Sequence, residues 1–372
     1  MKTLHTVKPE PPRVFLAGIC GTLAENGTLA ELIGLVNTLD LSICAAEVFK
    51  IREQSPRYGM GSGKAKEVSE MATVSGAECI IFDQELSPSQ QRNWEELSGL
   101  AVIDRQELII RIFASRARTR EAELQAELAE LLYSLHRLTH KYIDLARQRG
   151  GRYGTRGEGE TRLETDRRQI RQRINILRKE IETVRNMRKL QRKQREKYKT
   201  PVCALVGYTN AGKSSLHRVL TGSDVLVEDK LFATLDPTAR RVNRLMASGE
   251  RKTMVFVDTV GFIRRLPHNL VDAFRATLEE AAQADVLIHV LDASDPGIQN
   301  NNTAVLQVLE ELGAGKIPRI TALNKIDLLT ETDSAAQKTS LLGAGSSIAA
   351  ISAKNKEGLE ILWNLIEKTF KF

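Results

Sequence analysis

Cysteine is scarce in this chain of 372 residues: four occur, at Cys20, Cys44, Cys79 and Cys203. They show no close metal-type spacing, and each sits in or beside an apolar run. That disfavours a disulfide framework or a zinc site and points to buried free thiols in a reducing compartment. Long apolar runs are also missing. No stretch of about 18 uncharged apolar residues occurs, so no helical membrane span is expected. The first residues, MKTLHTVKPEPPR, lack the apolar segment of a signal peptide. A soluble, cytoplasmic protein is expected. Hydrophobic residues make up 42% of the chain, too many for a wholly disordered polypeptide. The length predicts two or three domains, each with its own core.

Charge of one sign is concentrated rather than spread. The 54 Lys and Arg against 47 Asp and Glu give a formal charge of +7. Residues 1–110 carry 10 basic and 15 acidic side chains, residues 111–200 carry 25 and 12, and residues 201–372 carry 19 and 20. The excess therefore lies in the middle segment, at 25 − 12 = +13. This disfavours a uniformly basic coat protein and favours a basic arm between two ordinary globular parts.

The hydrophobic pattern supports the same division. Residues 14–19, 45–51, 79–82 and 101–103 are short apolar runs of strand length, separated by helix-like stretches at 28–39, 64–73 and 88–97. This predicts a small α/β domain with a mainly parallel sheet. In the middle, Leu124, Leu128, Leu131, Leu135, Leu138, Tyr142 and Leu145 repeat at spacings of three and four, and Ile170, Ile174, Leu177, Ile181 and Val184 form a second seam. Both read as coiled-coil faces. Between them lies R-G-G-R-Y-G-T-R-G-E-G-E, residues 149–160, with five glycines. Glycine at that density ends a helix and permits a turn. An antiparallel helical hairpin with a glycine- and arginine-rich tip is predicted. A bare spacer, or two helices packed on the α/β domain, are the competing readings. The expected domains are 1–112, 113–199 and 200–372.

After residue 200 the α/β pattern returns, with strands at 202–206, 254–257, 286–291 and 320–323 and helices at 213–220, 270–282, 303–312 and 358–370. The first strand leads into Gly207, Tyr208, Thr209, Asn210, Ala211, Gly212, Lys213 and Ser214, the G-x-x-x-x-G-K-[ST] phosphate loop in its required strand–loop–helix context. Backbone amides there and the helix N-terminus, with Ser215 in its first turn, cradle phosphates. Lys213 supplies a point charge to the β- and γ-phosphates, and the Ser214 hydroxyl ligates Mg²⁺. Asp258, Thr259, Val260 and Gly261 follow the second strand. Asp258 can hold Mg²⁺ through water, and Gly261 leaves room for its amide to meet the γ-phosphate. Asn324, Lys325, Ile326 and Asp327 end a later strand. A carboxylate at Asp327 can accept from N1–H and the 2-amino group of guanine, a donor pair that adenine lacks, and this selects GTP and GDP. Asn324 would tie the loops together and the Lys325 stem would cover a base face. In Ser352, Ala353 and Lys354 a backbone amide could reach the guanine carbonyl. The first switch falls on Phe232, Ala233, Thr234, Leu235 and Asp236. Thr234 would complete the Mg²⁺ shell and sense the γ-phosphate, with Thr238 the alternative.

One further absence bears on catalysis. Ras-like GTPases place a glutamine directly after the D-x-x-G glycine to position the attacking water. Here Phe262 and Ile263 stand there, and neither can orient water. Slow hydrolysis by the free protein, or use of another group, is expected, with a partner that completes or orders the site the economical solution. The nearby Asp236, Arg240, Arg241, Arg264 and Arg265 cannot be assigned to this role from sequence.

Several longer blocks narrow the superfamily: Y-G-M-G-S-G-K at 58–64, D-R-Q-E-L-I-I-R-I-F-A-S-R-A-R-T-R-E-A-E-L from 104, G-T-R-G-E-G-E-T at 154–161 followed by L-E-T-D-R-R, and D-T-V-G-F-I-R-R-L-P-H-N-L from 258. With the residues around 232–238 they make nearly the whole chain resemble HflX-type GTPases. The resemblance implies a ribosome-associated GTPase, monomeric and cytoplasmic. Such proteins bind the large ribosomal subunit with the hairpin directed toward its peptidyl-transferase rRNA, and some split or rescue stalled ribosomes under stress. Two departures stand out. Glu158 replaces a proline common in the tip, and only 18 residues follow Lys354, where many relatives add a further domain. The glycine-rich 59–64 loop resembles a Walker loop one residue short, with Ala65 in place of the hydroxyl residue. A contact with RNA backbone or a plain turn fits it better than a second nucleotide site. The competing function is a GTP-controlled module that engages a protein partner through its hairpin.

Overall fold

The computed structural model describes residues 11–20, 29–148, 158–197, 200–222, 230–232, 238–246, 249–263, 281–329 and 347–372. Most of the expected first switch (233–236 of 232–236), most of the expected hairpin tip (149–157 of 149–160) and the stretch after Ile263 (264–280) lie outside the described residues.

The chain divides into two compact units, residues 1–115 with 128–176, and residues 116–127 with 177–372. The first holds a four-stranded, all-parallel sheet of order β2-β1-β3-β4. Its strands are β1 (Arg13–Cys20), β2 (Ser42–Lys50), β3 (Cys79–Phe82) and β4 (Ala101–Asp104). The helices α1 (Ala30–Thr38), α2 (Ser62–Val74) and α3 (Pro88–Ser98) connect them, and α4 (Arg105–Arg116) follows. The start of α3 is written locally. Ser87 and Gln90 form a reciprocal capping box, Pro88 opens the helix, and left-handed Gly99 closes it. One core packs Phe15, Phe82, Met60 and Trp94, all fully buried, and the Trp94 indole donates to the Tyr58 carbonyl at 3.1 Å.

Two long helices form the middle region, α5 (Arg120–Gln148) and α6 (Glu158–Lys197). At 1.5 Å per residue they run about 44 and 60 Å. Leu124, Leu128, Ile174, Leu177 and Ile181 of the predicted seams are buried. An ion pair of 3.0 Å joins Arg120, at the start of α5, to Glu180, in the later half of α6, the relation that an antiparallel pair requires.

The second unit holds a six-stranded sheet of order β10-β9-β8-β5-β7-β6. Its strands are β5 (Val202–Gly207), β6 (Thr238–Leu245), β7 (Arg251–Asp258), β8 (Val286–Asp292), β9 (Arg319–Asn324) and β10 (Ser347–Ala350). All pairs are parallel except β6 with β7. Strand β6 is absent from the sequence reading. Its residues T-A-R-R-V-N-R-L are largely exposed, and it forms by pairing with β7 at the sheet edge. Helices α7 (Lys213–Thr221), α8 (Ile298–Glu311) and α9 (Leu359–Phe370) accompany the sheet, whose faces pack two cores. None of the four cysteines forms a disulfide; Cys20 and Cys203 are buried. Among the described residues no helix is long and apolar enough to cross a membrane.

Candidate functional site

Strand order places the sequence motifs on one edge. Strand β5 ends at Gly207, β7 at Asp258, β8 at Asp292 and β9 at Asn324, while β10 leads into Ser352. The carboxyl edge of an open parallel sheet is where such folds hold ligands. Central β5 is flanked by β7 and β8, so the loop after it lies between the loops that follow them.

That loop turns through left-handed Asn210 and Gly212 into α7. Gly212 has no room for a side chain, since a Cβ would lie 2.2 Å from the Asn324 amide nitrogen. Lys213 is buried, and its ammonium donates to the Tyr208 carbonyl at 2.8 Å. Burial pulls its pKa down to about 8, partly offset by the Asp258 carboxylate. The Ser214 hydroxyl donates to Asp258 Oδ2 at 2.7 Å. Asp258 Oδ1 is buried without a hydrogen-bond partner. A hydroxyl beside an unspent carboxylate oxygen, both hard oxygen donors, suits Mg²⁺.

The segment after Asp258 folds back on the phosphate loop. Thr259 is buried and donates to the Leu205 carbonyl at 2.6 Å, and Val260 is buried beside it. Phe262 pairs in parallel with Tyr208: Thr209 N donates to Phe262 O at 2.7 Å, and Phe262 N donates to Gly207 O at 3.0 Å. The Phe262 side chain is buried in the apolar cluster of Val206, Leu287 and Val305. It is turned into the core. Gly261 sits against the loop so closely that a Cβ there would lie 2.7 Å from Thr209 Cα and 2.9 Å from Lys213 Nζ.

The base-reading end is organised by one side chain. Asn324 Nδ2 donates to the Ala211 carbonyl at 2.9 Å, and its Oδ1 accepts from the Ala353 amide at 2.9 Å. It thereby links the phosphate loop, β9 and the loop after β10. The Ser352 hydroxyl donates to Asp327 Oδ1 at 2.6 Å, which orients the carboxylate at the head of the short 3₁₀ turn Ile326–Leu328. Lys325 is left-handed, and its ammonium is held by Asp292 at 2.8 Å. Asp292 was missed in the sequence; its only signal is its place at the end of the apolar run V-L-I-H-V-L-D. Ser215 lies half-buried in the first turn of α7, and Lys354 is exposed beside Ala353. Phe232 is buried with positive φ, whereas Ala233, Thr234, Leu235 and Asp236 lie outside the described residues.

Three family descriptions match in succession: the N-terminal region of GTP-binding GTPases over residues 26–114, their middle region over 116–195, and the 50S ribosome-binding GTPase over 202–325. The chain is 47% identical to GTPase HflX of Akkermansia muciniphila over 337 residues, 89% of this chain and 76% of that one. It is 47% identical to GTPase HflX of Escherichia coli K12 over 303 residues, 82% of this chain and 70% of that one. The crystal structure of SsGBP with GDP superposes with a TM-score of 0.51 at 26% identity, covering 96% of this chain and 98% of that one. The guanine-nucleotide motifs gathered on one sheet edge, joined to a helical middle region and an N-terminal α/β sheet, thus form a ribosome-associated GTPase, and the chain belongs to the GTPase HflX family.

Proposed function

We propose that the chain uses GTP hydrolysis to act on the large ribosomal subunit, contacting its rRNA through the basic hairpin and splitting, rescuing or remodelling ribosomes under stress. The observation that carries this reading is the union, in one chain, of the guanine-nucleotide site with two long helices whose segment has a charge of 25 − 12 = +13. Such an excess neutralises RNA phosphates, and glycines at the tip allow close backbone approach. In this scheme residues 1–112, 113–199 and 200–372 act as separate domains, and the protein works in the cytoplasm as a monomer.

At the site, the amides of residues 207–215 and the Lys213 ammonium bind the phosphates. The Asp327 carboxylate, oriented by Ser352, reads guanine. Asn324 holds the phosphate and base loops at fixed separation. Ser214 and Asp258 are the described residues that would hold Mg²⁺, with Thr234 completing its shell; the ion would neutralise charge on the β- and γ-phosphates. Because Phe262 is packed into the core, full activity needs the ribosome to order the site. The decisive measurement is the GTPase rate with and without purified large subunits at two salt concentrations, together with cosedimentation. Strong stimulation, and binding that is tight with a nonhydrolysable GTP analogue and weak with GDP, are expected. Binding indifferent to the nucleotide, with unstimulated hydrolysis, would overturn the reading.

A further inference from the structure

Phe262 cannot hold the attacking water, so the polar groups that the described residues bring to Gly261 are the place to look for one that does. Three groups converge on one point: the Cα of Gly261, the Lys213 ammonium and the Thr209 residue, through its Cα and methyl group. A Cβ placed on Gly261 would lie 2.7 Å from both Thr209 Cα and Thr209 Cγ2 and 2.9 Å from Lys213 Nζ. Thr209 is only 6% exposed, and its Oγ1 is buried without a hydrogen-bond partner. A buried hydroxyl left unpaired costs stability. Its backbone is fixed as well, since its amide donates to the Phe262 carbonyl at 2.7 Å. Thr209 thus packs on Gly261 through its Cα and Cγ2 and carries, on the same Cβ, a buried hydroxyl with no partner, in the loop that meets the γ-phosphate.

We infer that Thr209 is a positioning residue for hydrolysis: its hydroxyl accepts a hydrogen bond from the attacking water and donates a hydrogen bond to a γ-phosphate oxygen. The assignment rests on the reading of this edge as the GTPase site. In the reaction the water oxygen bonds to the γ-phosphorus as the bond to the β–γ bridging oxygen breaks. The electron pair of that bond stays on GDP, and the water proton leaves with inorganic phosphate or to solvent. The Thr209 hydroxyl keeps its proton throughout. Its role is orientation, worth what one well-placed polar group contributes.

The test compares wild type, Thr209→Val, Thr209→Ala and Thr209→Ser in the full-length chain. Single-turnover GTP hydrolysis is measured with and without large ribosomal subunits, and affinities for GDP and a nonhydrolysable GTP analogue by fluorescence titration. Valine should slow the single-turnover step by at least ~10-fold, and alanine likewise, while both affinities stay within about 3-fold. Serine, which restores the hydroxyl, should recover most of the rate. Valine and alanine variants that hydrolyse at the wild-type rate would overturn the assignment. So would a serine variant as slow as valine, or a loss of GDP affinity that matches the loss of rate, since each makes Thr209 a shaping residue of the loop. Failure of the wild-type chain to bind or hydrolyse GTP would instead sink the function proposed above, so the two failures are distinguishable.

Discussion

His289 shows how far a single side chain can depart from its surroundings. It lies in the middle of β8, fully buried, between Val206 of β5 and Thr321 of β9, and neither ring nitrogen has a hydrogen-bond partner. Burial, reinforced by the positive charges of Arg319 and Lys213, pushes its pKa down to about 3. Below the ordinary histidine value of about 6.5, the unfolded chain takes up a proton that the folded chain refuses. Stability contributed by the neutral ring is therefore present above pH 6.5 and lost as pH falls toward 3. Between pH 6.5 and 5 the loss should approach ~2 kcal/mol. His289→Leu should shrink the shift in urea midpoint between pH 7 and pH 5, and an unchanged shift would contradict this account. Lys213 supplies a second titration. Its pKa of about 8 must rise when a triphosphate binds, so above pH 8 binding takes up a proton and affinity falls by up to ~10-fold per pH unit. Titration calorimetry at pH 8.5 in two buffers of different ionisation enthalpy should report that uptake, and Lys213→Ala should abolish it while weakening GTP binding.

Helix α5 meets the N-terminal sheet through a buried polar cluster rather than through apolar contact alone. Asp104, at the end of β4, is 1% exposed. Its Oδ1 accepts from the Glu107 amide and lies 3.0 Å from the Tyr133 hydroxyl; its Oδ2 accepts from the Leu86 amide and pairs with Arg137 at 2.8 Å. Arg137 also reaches the Gln91 side chain and stacks over the Tyr133 ring at 4.1 Å. Burial and the nearby carboxylates raise the Tyr133 pKa, so it remains a hydrogen-bond donor. Removing the carboxylate leaves two backbone amides without their acceptor and the half-buried Arg137 without its counter-charge, while the Tyr133 hydroxyl keeps Glu107 Oε2 at 3.0 Å. Asp104→Ala should therefore destabilise the first unit by about 3–5 kcal/mol, read by urea denaturation, with little change in GDP affinity. A loss below ~1 kcal/mol would mean that water replaces the carboxylate freely.

In the proposed function, ribosome binding draws on charge placed far from the nucleotide motifs in sequence. Arg149, Arg152 and Arg156 lie in the 149–157 stretch, outside the described residues, at the junction of α5 and α6. Replacing all three with alanine should weaken binding to large subunits and lower the salt dependence of that binding by about 2 in log–log slope. Hydrolysis without ribosomes should be unchanged. Binding that survives unchanged at raised salt would favour a protein partner for the hairpin.

The phosphate loop, the D-x-x-G turn and the N-K-x-D element could be read directly from residue order, because each is a short chemical pattern at the end of an apolar strand. The parallel α/β character, the long helices and the resemblance to HflX-type GTPases came from periodicity and local blocks in the same way. Strand β6 could not be read, because its polar residues become a strand only through pairing with β7. Asp292 was equally silent: an aspartate after an apolar run says nothing until strand order sets it beside Lys325. Sequence by itself determined which chemistry is present, since that depends on residue types at fixed spacing. Tertiary structure alone decided that Phe262 is spent on the core, that Ser214 meets an Asp258 carboxylate with one oxygen unspent, and that Thr209, its hydroxyl buried and unpaired, packs on Gly261. Those facts follow from packing and hydrogen bonding between segments about 50 residues apart, which no local pattern encodes.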